Sequence, residues 1–102
     1  MDYNHKGPYT YNEEIVGGWD STAIGIYYCG YLTTQGKLYP LYIGVGTSDE
    51  GIRGRLLDHL NEDYWPDATH FVYRLCSTAQ EALDWERREI AAHRPKYNKI
   101  GK

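Results

Sequence analysis

Gly25-Ile26-Tyr27-Tyr28-Cys29-Gly30-Tyr31-Leu32, followed after a short link by Leu41-Tyr42-Ile43-Gly44-Val45, is the stretch that decides the fold. Apolar residues alternate through Ile24, Ile26, Tyr28 and Leu32, then through Leu41, Ile43 and Val45. A period of two is the mark of a strand with one face buried. Gln35-Gly36 reads as a two-residue turn between the two runs, with Gly36 able to take positive φ. In the register that this turn imposes, Thr34 faces Lys37, Ile26 faces Val45, and Tyr28 faces Ile43. Tyr27 then faces Gly44, and Tyr42 lies on its diagonal, roughly 7–8 Å away by sheet geometry. Both phenols are expected to project from the face opposite the isoleucines, over a glycine that clears space, as a surface open to a ligand.

The rest of the composition bounds what such a surface could serve. A chain of 102 residues, 41% hydrophobic and 25% charged, is one small globular domain rather than a disordered segment. No apolar run reaches the length of a membrane span, and Met1-Asp2 does not open a basic-then-apolar leader, so a cytoplasmic location is expected. Cys29 and Cys76 each stand alone in a strand pattern, with no paired spacing of the kind zinc needs. Two buried thiols are the first reading and a disulfide the second. The net charge of −3 argues against a strong nonspecific polyanion binder. Its distribution is uneven: residues 1–84 carry 5 Lys/Arg against 12 acids, and residues 85–102 carry 6 against 2. A polyanion would therefore meet the C-terminal end, and a solvated tail is the plainer alternative.

Taken in order, residues 1–20 read as an N-terminal extension of unclear role, and residues 21–102 as the domain proper. Tyr3, Tyr9, Tyr11 and Trp19 are many aromatics for a loose tail, so the segment is expected to lie across the domain. Gly17-Gly18 marks a joint. Ser48 or Asp49 can cap a helix running to about Leu60, with Ile52, Leu56 and Leu60 as its core stripe. Arg55 and His59 are one turn apart on its flank. His70 to Cys76 alternates as a third strand. Thr78-x-x-Glu81 is a capping box that opens a second helix near Ala79, which Pro95 stops after Arg94. Ala79, Ala82, Leu83 and Ile90 fall on one side of it, with Glu86 in the middle of them and Glu89 one step round, toward solvent. A carboxylate on a core stripe is costly unless it is paired or binds a metal. The expected architecture is α/β (α+β), a small three-stranded, mainly antiparallel sheet flanked by helices.

Gly25-Ile26-Tyr27 and Tyr42-Ile43-Gly44, Arg55 with His59, Glu86 ahead of Glu89-Ile90, and Pro95 ahead of Asn98 together resemble the GIY-YIG nuclease family. The resemblance runs from Ile24 to Asn98. It implies the GIY-YIG fold and a metal-dependent endonuclease that hydrolyses phosphodiester bonds in DNA, one strand per active site. The residue types do not separate DNA from RNA. By the resemblance, Glu86 holds Mg2+ (or Mn2+), Arg55 steadies the phosphate, and Tyr27 takes a proton from the attacking water. Tyr42, His59 and Asn98 orient the water or the phosphate. Magnesium suits one carboxylate because it keeps several waters and accepts phosphate oxygens. A phenol with its usual pKa of about 10 is a poor base, so a cation must help Tyr27. Arg87, Arg94 and Lys96 are the candidate substrate-binding cations. This chain carries no separate DNA-binding module of the sort larger family members use, which points to a protein partner or a homodimer for targeting, or to recognition of branched or damaged structure rather than sequence. No membrane association is expected.

Each residue also has a structural reading. Tyr27 and Tyr42 can be half-buried strand tyrosines, Arg55 can pair with Asp58 or a loop acid, and Glu86 can bridge to Arg55 or Arg74. His59 needs no function on an exposed helix, and Asn98 can cap backbone. The rival function is a catalytically inactive nucleic-acid-binding or protein-interaction module with the same fold. A thiol enzyme built on Cys29 or Cys76 is a poor third, since no histidine is near either in sequence.

Overall fold

A computed structural model describes residues 5–18, 23–47, 51–62 and 67–99. Its elements are β1 (Lys6–Thr10), α1 (Glu13–Gly17), β2 (Gly25–Leu32), β3 (Leu38–Gly46), α2 (Gly51–Glu62), β4 (His70–Leu75), α3 (Ala79–His93) and α4 (Lys96–Lys99). The strands form one antiparallel sheet in the order β1-β4-β2-β3. The architecture is therefore α+β, and the sheet has four strands rather than three. The additional one is β1, from the opening segment. Its Gly-Pro pair and uniformly exposed residues hide the alternation by which a strand is read.

Alternation along β2 sends its side chains to two separate cores. Tyr27, Cys29, Tyr42 and Phe71 pack under α1 and α2 with Tyr11, Val16, Ile52 and Leu56. Ile26, Tyr28, Ile43 and Val72 pack on the other face, against Trp85 and Ile90 of α3. The sheet is thus covered on both faces, and Tyr27 and Tyr42 do not form an open surface. Tyr27 is 0% exposed and Tyr42 6%.

The hairpin keeps the expected register by a different route. Thr33 N–H donates to Lys37 O at 2.8 Å and Gly36 N–H to Thr33 O at 2.9 Å. The loop is therefore the three residues Thr34–Gly36, with Gly36 at φ 77. Thr33, not Thr34, faces Lys37. One extra loop residue would send every β3 side chain to the wrong face. A register shift between Cys29↔Tyr42 and Gly30↔Pro40 absorbs it, leaving Leu41 as the bulged residue. Ile26↔Val45, Tyr27↔Gly44 and Tyr28↔Ile43 consequently stand as expected.

The capping box of α3 is formed. Glu81 N–H donates to Thr78 Oγ1 at 3.1 Å, and the Glu81 carboxylate reaches back to Ser77 N–H at 2.6 Å. The helix ends at Arg94 in the left-handed region, φ 48, immediately before Pro95. Its buried stripe is rotated from the expected one. Ala82 is buried, Trp85 and Ile90 pack on the core, and Leu83 is 40% exposed. The cap of α2 expected at Ser48 or Asp49 lies outside the described residues. Cys29 and Cys76 are free thiols. No helix among the described residues is long and apolar enough to cross a membrane.

Candidate active site

Four elements bring five of the candidate residues together. Tyr27 of β2 and Tyr42 of β3 point to the same face, their rings 6.2 Å apart and tilted by 34°. Gly44, opposite Tyr27, makes room for the phenol: a Cβ there would lie 2.6 Å from the Tyr27 hydroxyl and 2.8 Å from Tyr42 Cε2. α2 crosses above them and delivers His59, whose ring lies 5.5 Å from that of Tyr42 and 6.4 Å from that of Tyr27. One turn earlier on α2 is Arg55, exposed at the rim. Glu86, half-buried on α3, closes the group.

The electrostatics tie these side chains to one another. Burial pushes the Tyr27 hydroxyl well above its usual pKa; Cys29 and Tyr42 add to this, and the Arg55 guanidinium pulls back. Tyr42 is raised by burial, with Arg55 opposing and the Glu86 charge reinforcing. The Glu86 carboxyl is raised by burial and lowered by Arg55. His59 is pushed down to about 4, first by burial and then by Arg55, while Asp58 opposes. At neutral pH the group therefore presents two protonated phenols, a neutral imidazole and one guanidinium. Burial outweighs Arg55 at Tyr27, so the surroundings alone do not make this phenol a base. Although Arg55 is close enough to influence it, the buried Tyr27 hydroxyl has no well-formed hydrogen bond among the described residues.

Asn98 meets the backbone of β3. Its Oδ1 accepts from Ile43 N–H at 2.8 Å and its Nδ2–H donates to Ile43 O at 3.0 Å. The amide therefore acts as a one-residue strand on the outer edge of β3, next to Tyr42. The three candidate substrate cations have local surroundings of their own. Arg87 is exposed, 3.9 Å from Asp84, and Arg94 is exposed at the helix end. Lys96 lies 3.5 Å from Asp67 and 5.0 Å over the Tyr97 ring.

Glu89 does not face solvent as the helix pattern suggests. It accepts a hydrogen bond from the buried Tyr28 hydroxyl. Beside it, Trp85 is held between the guanidinium groups of Arg74 and Arg88, at 4.4 and 4.6 Å. The sequence signal for this arrangement is the spacing Ala82, Trp85, Glu89. It marks the buried stripe once Trp85, rather than Leu83, is taken as its centre.

The metal requirement can be tested on this donor set. Among the described residues no group of three or more His, Cys, Asp or Glu is placed to enclose an ion. Glu86 alone offers a half-buried carboxylate beside Arg55. That fits a hard cation such as magnesium only as a site completed by water and by substrate phosphate.

No family model matches this chain, and no curated protein matches it significantly.

Proposed function

We propose that the chain is a divalent-metal-dependent endonuclease of the GIY-YIG type, with the GIY-YIG fold, hydrolysing one nucleic-acid strand per site. The observation that carries this reading is the convergence of Tyr27, Tyr42, Arg55, His59 and Glu86 from β2, β3, α2 and α3. Arg55 lies at the exposed rim, where a guanidinium can grip two phosphate oxygens and stabilise charge growing on them. Tyr27 would take a proton from the attacking water once a bound cation lowers the pKa that burial has raised, and Tyr42, held protonated, would donate a hydrogen bond toward the phosphoryl group. His59, neutral, orients the attacking water. Asn98 acts through the backbone of β3, keeping Tyr42 in place. Glu86 would hold the cation, which when bound supplies positive charge that neutralises the phosphate and favours ionisation of water and of a neighbouring phenol.

The test is conversion of supercoiled DNA to the nicked form, with and without magnesium, by the wild type and by Glu86→Ala. Nicking is expected from the wild type with magnesium alone, and none from a Glu86→Ala protein that keeps its melting temperature. Equal nicking by both proteins would reject the assignment.

A second reading is favoured by one observation, the upward shift of the Tyr27 phenol. A binding module with this fold but no turnover would keep that phenol protonated permanently. It predicts magnesium-independent binding and no product from any DNA or RNA form.

A further inference from the structure

We propose that Tyr31 and Tyr39 form a stacking platform for an unpaired nucleobase of the strand whose phosphate lies at Arg55; this rests on the nuclease reading above. The two residues face each other across β2 and β3, their rings 5.1 Å apart and within 14° of parallel. They are 40% and 52% exposed.

Their orientation follows from the strands. On β2, Tyr31 continues the alternation of Tyr27 and Cys29, which belong to the core beneath α2. On β3, Leu38 packs with Ile26, Tyr28 and Ile43 on the α3 face, so Tyr39 points the other way. The bulge at Leu41 then lets Tyr42 share the face of Tyr39. All four tyrosines therefore line one side of the same two strands: two are buried beneath α2 and two are exposed toward the hairpin end.

The separation suits a polymer. Four residues of strand from Tyr27 to Tyr31 span about 13 Å. That is about four nucleotides at the 3.4 Å stacked rise, and fewer in an extended strand.

The chemistry selects the ligand class. Bases in a duplex are already stacked on both sides, whereas a flat aromatic surface takes a base that is splayed out. With a net charge of −3, the chain has little electrostatic attraction for phosphate to rely on, so stacking must supply much of the affinity. A flap, a loop or a single strand meets that requirement.

The experiment is fluorescence anisotropy in EDTA, so that nothing is cut. The probes are a labelled mixed-sequence single-stranded DNA and the same sequence as a blunt duplex. The proteins are the wild type, Tyr39→Phe, Tyr39→Thr and Tyr39→Leu. The wild type should prefer the single strand, and Tyr39→Phe should match it. Tyr39→Thr keeps strand propensity but has no ring, and should lose about 5- to 100-fold on the single strand with little change on the duplex. Should Tyr39→Thr not fold, Tyr39→Leu preserves an apolar cross-strand contact without a ring and carries the same expectation. Unchanged affinity, or equal losses on both probes, overturns the platform while Glu86-dependent nicking still upholds the nuclease. A Tyr39 variant that alters sedimentation but not DNA binding also overturns it, marking the ring pair as a contact between copies of the chain. A wild type that neither binds nor nicks any nucleic acid removes both proposals.

Discussion

The hydroxyl of Tyr28, a side chain fully buried in the sheet, donates to Glu89 Oε1 at 2.5 Å. Since that proton goes to the carboxylate, the ring nitrogen His5 Nε2, 3.1 Å from the same oxygen, is the donor of the second bond. The pair fixes how α3 is rotated over β2, and Glu86 lies three residues before Glu89 on that helix. Tyr28→Phe leaves the half-buried carboxylate without this donor. It should cost about 1–3 kcal/mol in urea unfolding, while Glu89→Gln, whose amide still accepts, should cost less. Equal and negligible effects would show that the bond does not hold the helix.

Gly44 is where the two candidate phenols meet the backbone. A methyl group there would sit 2.6 Å from the Tyr27 hydroxyl and 2.8 Å from both Tyr27 Cζ and Tyr42 Cε2. Both rings are buried and cannot swing away, so Gly44→Ala should lower stability by about 1–3 kcal/mol. Adding Tyr27→Phe removes the closest of the three contacts and leaves two, so part of the loss should return. A thermal-denaturation double-mutant cycle measures that coupling. Strict additivity would mean that the backbone moves instead of the rings.

How far the residues alone could go is visible at particular positions. The register of β2 on β3 is legible because burying one face penalises any one-residue slip. The compensating pair of a longer loop and a bulge at Leu41 is not, since the two offset each other and leave the far end unchanged. β1 is hidden because its residues are all exposed and its pairing with β4 is long-range. On α3, treating Leu83 as core and Trp85 as neutral misplaces the buried stripe. Trp85 is packed beneath α3 with cations over its ring faces, and propensity rules do not weigh that contact. Arg55 and His59 come from α2 and Glu86 from α3. Their types and order are readable in one dimension, but the burial that keeps Tyr27 protonated is a product of packing.

His59 should make the protein acid-sensitive at an unusually high pH. Its ring titrates near 4 in the folded chain against 6.5 for an ordinary histidine. Unfolding therefore takes up a proton between those values, and stability falls as pH drops from 6.5 toward 4. Above 6.5 the contribution of the neutral ring is complete. A gap of that size corresponds to a loss on the order of 3 kcal/mol. Unfolding free energies across this window should fall less steeply in His59→Phe, which retains a flat ring between Tyr42 and Tyr27. An unchanged slope would place the titrating group elsewhere.

The Asn98 amide offers the sharpest separation of donor from acceptor. Its oxygen accepts from Ile43 N–H and its nitrogen donates to Ile43 O, a match only a primary amide can make here. Asn98→Ala should cost about 1–3 kcal/mol, because it removes both bonds at the β3 edge. Asn98→Asp keeps an acceptor for the N–H but sets carboxylate oxygen against carbonyl oxygen. It should be no better than alanine at neutral pH and should improve as the carboxyl is protonated and regains a donor. Melting temperatures of the two variants at neutral and acid pH, each referenced to wild type, decide it. An aspartate variant as stable as wild type at neutral pH would mean that the bond from Ile43 N–H alone docks α4, and that the donor half of the amide is idle.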